Sequence, residues 1–184
     1  MRPRGRPARG AGVTRDIILS TALELLDEGG QGLSMRALAA RLGVTPMSLY
    51  HHVEDHAGLL RALSDKVYAE VLANIEAGLS GRAEVHALLL RYHEAVRRHP
   101  QLTLAIFATP AAFAGVTREI TDRLTVLLAD MTDAPVLWRD ILIDHAHGSA
   151  LPVAQTGDAQ QAAPDDHYRQ ALGVLLDRLS ATST

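Results

Sequence analysis

Residues 33–52, Leu33-Ser34-Met35-Arg36-Ala37-Leu38-Ala39-Ala40-Arg41-Leu42-Gly43-Val44-Thr45-Pro46-Met47-Ser48-Leu49-Tyr50-His51-His52, decide how this chain is read. Ser34 is placed to cap a short helix, because its hydroxyl can satisfy an otherwise free first-turn amide. Leu38, Ala39 and Leu42 then recur on the inner side of that helix, and Gly43 ends it by permitting the backbone of a tight turn. Thr45-Pro46 reads as a cap followed by proline at the first helical position, where a missing N–H is harmless. A third helix is therefore predicted from about Pro46 to His52. Two short helices joined by a three- to four-residue turn containing glycine are the pattern of a helix-turn-helix. Val44 and Leu49 close its small core. With Leu49 facing inward, helical spacing turns Pro46, Met47, Ser48, Tyr50 and His51 wholly or partly outward. That outer face is almost uncharged and fits a groove.

Upstream, Thr14 caps a first helix in which Ile18, Ala22, Leu25 and Leu26 recur until Gly29-Gly30 stops it. Residues 1–13 interleave Pro3, Gly5, Pro7, Gly10 and Gly12 with four arginines, a composition that cannot bury apolar area and reads as a flexible arm. Downstream, Glu54-Asp55 opens a fourth helix with Leu59, Leu60, Leu63, Val67, Val71 and Leu72 as its stripe, running to about Ala77. A boundary region is expected at Gly78–Gly81. Further helices are predicted over 83–98, 102–108, Pro110 to about Met131, and from Pro135 past His145, with Pro152 as a kink or end. A loop from Gly157 to Pro164 precedes a last helix carrying Tyr168, Leu172, Leu175, Leu176 and Leu179. No strand-like alternation or internal repeat stands out. The expected division is an arm at 1–13, a head at 14–60 and a helical body at 61–184.

Composition narrows the class. Apolar residues make up 47% of the 184, enough for a sizeable core, while aromatics are only 4%, with leucine and alanine dominant, which favours helices over sheets. The absence of cysteine excludes disulfides and cysteine-based zinc sites. No run approaches the roughly 20 uncharged apolar residues of a membrane span. The basic N-terminus, followed by Gly and Pro, does not resemble a signal peptide. A cytoplasmic protein with no membrane association is the expectation. The net charge of −3 hides an asymmetry: residues 1–53 carry seven arginines against four acids, +3, leaving −6 for the rest. A basic head on an acidic body suits polyanion binding by one end.

The run Leu33–Val44, followed by Ser48-Leu49-Tyr50-His51-His52-Val53 and Gly58-Leu59-Leu60, resembles the TetR family of repressors over about fifty residues, the first helix included. The resemblance implies an all-α protein: an N-terminal three-helix helix-turn-helix DNA-binding domain, then a helical bundle for ligand binding and dimerisation. It implies a homodimer on a double-stranded DNA operator of matching palindromic symmetry, released when a small-molecule effector alters the separation of the two reading helices. Carried onto matching positions, Arg36 can reach a base, its guanidinium suited to guanine O6 and N7. Thr45, Pro46, Met47, Ser48, Tyr50 and His51 match the recognition surface. The Tyr50 hydroxyl suits a phosphate or the ring packs at the edge of the core, and Met47 or Pro46 can touch a thymine methyl. For His51, base contact and simple solvent exposure stand equally. Two positions depart from the family: Val53 stands where an aromatic is common, and His56 where a lysine usually holds the DNA backbone. A histidine supplies only part of a charge near neutral pH. Pro3-Arg4-Gly5-Arg6-Pro7 resembles the AT-hook core that lies in A·T-rich minor grooves, although nonspecific phosphate attraction by Arg4 and Arg6 is the slightly preferred reading.

Nine histidines invite a metal reading, but none of their spacings forms a compact ligand motif such as HExxH, and no metal or cofactor is expected. No glycine-rich phosphate loop, nucleophile elbow or cysteine nucleophile is present, so an enzyme is not expected. An effector pocket is implied by the resemblance and by where large side chains cluster: Phe107, Phe113, Met131, Trp138 and His145, with His93 as a polar contact. For each of them ordinary core packing is the preferred reading. Dimerisation is expected through the helix after Pro135 and the leucine stripe of the last helix, unless that stripe packs within the subunit. The competing reading is a helical binding module whose helix-turn-helix no longer engages DNA. The arginine arm and Arg36 argue for DNA.

Overall fold

The computed structural model describes residues 13–29, 33–73, 79, 81–151 and 164–181. Among them are nine α-helices and no strand: α1 Arg15–Asp27, α2 Met35–Leu42, α3 Pro46–Tyr50, α4 His56–Leu72, α5 Gly81–Arg98, α6 Pro100–Phe107, α7 Val116–Ala129, α8 Pro135–Ala150 and α9 Pro164–Ala181, with a 3-10 turn at Pro110–Ala112. The all-helical reading holds. The arm at residues 1–12, most of the 157–164 loop, Pro152 and Gly78 lie outside the described residues.

Helices α1 to α3 form the head and pack on one another. Ile18, Ala22 and Leu26 of α1, Leu38 and Ala39 of α2, and Leu49 of α3 are all buried there. Helix α4 joins head to body. It begins where Asp55 Oδ1 accepts from the Gly58 amide at 2.7 Å, a first-turn donor that would otherwise lack a partner. It contacts α1 on one side and α5, α6 and α7 on the other, so its apolar stripe belongs to both cores. The body is a bundle in which α8 packs on both α5 and α7, and α9 covers α5 and α8.

Several boundaries differ from those expected. Helix α3 stops at Tyr50, and α4 starts after Asp55 rather than at Glu54. The proline that ends α5 also starts α6, occupying its first turn. The helix expected from Pro110 to Met131 is broken: a 3-10 turn is followed by Gly115 at φ +58°, and only then does α7 begin. The last helix turns its leucines inward, with Leu172, Leu176 and Leu179 fully buried in the subunit. Burying that stripe within the subunit removes the apolar area from water, so these leucines are not the dimer surface. What α8 and α9 leave in solvent is Val136, Leu137, Ile141 and Val174.

Candidate nucleic-acid interface and body cavity

The turn between α2 and α3 is built by local chemistry. Ser34 Oγ accepts from the Ala37 amide at 3.1 Å, fixing the start of α2. Gly43 adopts the left-handed conformation at φ +66°, which glycine reaches without the penalty a side chain carries. This lets the Val44 amide return to the Ala39 carbonyl at 3.0 Å and closes the helix end. Thr45 Oγ1 then accepts from the Ser48 amide at 3.3 Å and lies 3.0 Å from Ser48 Oγ. Pro46 fills the first position of α3. Leu49 is fully buried, which fixes the rotation of α3 about its axis.

That rotation presents Thr45, Pro46, Met47, Tyr50 and His51 outward, Met47 being 68% exposed. Ser48 is half-buried, its hydroxyl turned back onto Thr45 rather than outward. Arg36 is exposed on the first turn of α2 and makes no ion pair among the described residues. His56 stands at the first position of α4, half-buried. Arg41 is held by Glu28, with Nη1–Oε1 at 3.1 Å and Nη2–Oε2 at 2.6 Å. This bidentate pair lowers the Glu28 carboxyl below its ordinary range through the hydrogen bonds from Arg41. Both charges already enter the balance of +3, so the pairing leaves the net charge of the head unchanged. Arg4 and Arg6 lie outside the described residues.

The body contains a small cavity of about 50 Å³ between α4, α5, α6, α7 and α8, lined among others by Tyr68, Tyr92, Thr103, Phe107, Phe113 and His147. Tyr68 and Thr103 hydroxyls meet at 2.7 Å, and Tyr92 Oη lies 2.7 Å from His147 Nε2. Burial pushes the Tyr92 phenol far up and His147 down, so both sides of this contact are held in their neutral forms. Phe107 stands edge-on to His147 with centroids 4.8 Å apart. Of the six sequence candidates, Phe107 and Phe113 line this cavity. The other four do not. His93 instead stacks on Tyr168 at 3.8 Å and reaches Ser149 at 3.2 Å. His145 stacks on Tyr168 at 5.2 Å. Met131 and Trp138 pack against the apolar core. Tyr68, Tyr92, Thr103 and His147 were missed. Tyr92 reads as one more core position of α5, and His147 shares a helical face with Asp140 and Asp144 in the sequence.

A capped helix-turn-helix with an outward reading face, joined by α4 to a helical body, defines the class of a helical DNA-binding regulator. Residues 18–63 match the family model of the bacterial regulatory proteins, tetR family. The HTH-type transcriptional repressor DrrR1 of Streptomyces coeruleorubidus is 32% identical over 188 residues, covering 96% of this chain and 68% of that protein. An HTH-type transcriptional regulator of Saccharopolyspora erythraea is 37% identical over 101 residues, and the match spans only 43% of its length. The crystal structure of BioQ with its natural double-stranded DNA operator superposes with a TM-score of 0.68 at 26% identity, covering 92% of this chain and 99% of that one. The chain belongs to the TetR family of bacterial transcriptional regulators.

Proposed function

We propose that this protein is a repressor acting in the cytoplasm: a homodimer that holds a palindromic operator through two copies of α3 and lets go when an effector enters the body. The observation that carries this reading is the outward face of α2 and α3, which presents Arg36, without an ion pair among the described residues, together with exposed Thr45, Pro46, Met47, Tyr50 and His51. Arg36 reads guanine, Met47 or Pro46 touches thymine methyls, and the Tyr50 hydroxyl takes a phosphate. His56 lends weaker backbone anchoring, and Arg4 and Arg6 of the arm supply the remaining attraction. The repressor assignment draws support from DrrR1, itself named a repressor, and the DNA partner from the operator-bound BioQ structure.

The effector cavity is the one lined by Tyr92 and His147. At about 50 Å³ it is a closed form, well below the roughly 300–1,000 Å³ of occupied ligand sites. Phe107 and Phe113, which line it while remaining 52% and 42% exposed, are the side chains that swing aside. The division into an arm at 1–13, a head at 14–60 and a body at 61–184 then gains a mechanical sense, because α4 crosses the last boundary and contacts both parts. Footprinting on DNA upstream of the protein's own coding region tests the reading. We expect two protected half-sites separated by about one helical turn, or a multiple of it. A chain that protects no fragment at low salt overturns the proposal.

A further inference from the structure

A second concavity lies on another side of the molecule, between α1, α4, α5 and α9, with a volume of about 780 Å³. Its floor is apolar: Leu23, Val67, Val71, Leu90 and Ala95. Its rim is basic. Lys66, Arg91, Arg98 and Arg169 face Glu70 and Glu94 there, a balance of +2 within a chain whose part beyond residue 53 carries −6. Glu94 is already engaged by Arg97 and Arg98, and Arg91 donates to the Ala73 carbonyl at 2.7 Å. Lys66 on α4 and Arg169 on α9 make no ion pair among the described residues, although Glu70 is one turn from Lys66.

We propose that this groove is a binding site for an amphipathic organic anion, an aliphatic chain bearing a carboxylate or phosphate head. The apolar floor accepts the chain, and Lys66 and Arg169 hold the head. The chemistry excludes a cationic amphiphile, which would bring like charge to the rim, and disfavours a neutral one, which leaves both cations without a counter-charge. A phosphodiester backbone uses the rim but has nothing to lay on the floor. The occupant touches Leu23 of the head and Arg169 of the last helix together. The site is separate from the Tyr92–His147 cavity and stands whether or not that cavity takes an effector.

The test is calorimetric titration of the full chain with dodecanoate, dodecyl phosphate and dodecyltrimethylammonium, all below their micellar concentrations. We expect one equivalent of each anion per chain and no saturable binding of the cation. The preferred anion tells a fatty acid from a phosphorylated lipid. Lys66→Ser and Arg169→Ser should each weaken anion binding about tenfold, as expected for a lost charge-assisted hydrogen bond. Ala95→Trp, which fills the floor, should abolish it, with circular dichroism checking that each variant folds. Equal binding of the cation, or full anion affinity in the Lys66→Ser/Arg169→Ser double variant, overturns the proposal. So does displacement of dodecanoate by a short DNA duplex that itself binds more weakly to the double variant, because the rim then serves DNA.

Discussion

Asp65 of α4 accepts a hydrogen bond from the Val116 amide at the start of α7, Oδ1 to N 3.0 Å. The helix that leaves the head thus caps one that lines the body cavity, through Thr117, Ile120 and Thr121. The cap depends on Gly115, whose φ of +58° turns the chain toward Asp65 and whose missing side chain leaves room for the carboxylate.

Asp65→Ala should therefore destabilise the protein by about 1–2 kcal/mol, the usual cost of a lost helix cap. That corresponds to a melting temperature lower by roughly 2–8 °C for a chain of this size. Asp65→Asn keeps an acceptor oxygen and should lose less. Gly115→Ala should be at least as harmful as Asp65→Ala, because it adds a positive-φ penalty to a clash with Asp65. A thermal melt in which Asp65→Ala matches the parent would show that the hydrogen bond carries no stability.

The reading face gives a second expectation. Arg36→Ala should cost about 1–3 kcal/mol of affinity for the footprinted site, and that loss should be confined to the base it reads. Arg36→Lys should recover little, since a point charge cannot replace a planar fork. Tyr50→Phe should weaken all sequences alike, as loss of a phosphate contact does. Fluorescence anisotropy on the operator and on single-base variants separates these outcomes. Uniform loss across sequences for Arg36→Ala would move it from base reading to backbone anchoring.

How much of this was legible in the sequence follows from how local the cause is. Ser34, Gly43 and Thr45-Pro46 act within a few residues, so the head could be read from spacing, down to the inward turn of Leu49. The break at Gly115 could not, because Asp65, which accepts from the next amide at Val116, lies fifty-one residues before Val116 in sequence. The cavity was half legible. Phe107 and Phe113 were found as large side chains, but Tyr92 and His147 owe their role to a contact between α5 and α8 that no single-helix pattern contains.

Acid should weaken the fold through the body histidines. Burial lowers both His145 and His147 below the usual histidine value of 6.5. The unfolded chain then binds protons more readily than the folded one, so their stabilising contribution is complete above about 6.5 and is lost as pH falls through the folded values. Urea midpoints should drop between pH 7.5 and 5.5. His147→Gln should flatten that dependence while weakening the neutral-pH fold, because glutamine cannot gain the proton. A midpoint that rises on acidification would contradict the burial of a neutral His147 beside Tyr92.

The last expectation concerns the surface left by the inward-turned leucines of α9. Leu137 and Val174, 60% and 57% exposed, lie with Val136 and Ile141 on two helices that pack on each other. The same helices carry Gly148 and Gly173, where a side chain would meet no neighbour among the described residues. A glycine inside a helix is destabilising by roughly 0.5–1 kcal/mol relative to alanine, and nothing among the described residues requires it at either position. Close approach of a second copy does give it a use, since two helices without side chains at the crossing come nearer together. Leu137→Asp and Ile141→Asp should therefore each weaken the dimer by about 2 kcal/mol or more, roughly thirtyfold in Kd. Gly148→Leu should do the same by bulk alone, leaving the monomer's melting temperature at low concentration unchanged or raised. Sedimentation equilibrium at micromolar concentration reads the result. Operator affinity should fall in step, because one head then holds one half-site. A parent chain that sediments as a monomer would overturn the proposed homodimer, and variants that remain dimeric would place its surface elsewhere; either result leaves the two helical glycines without a role.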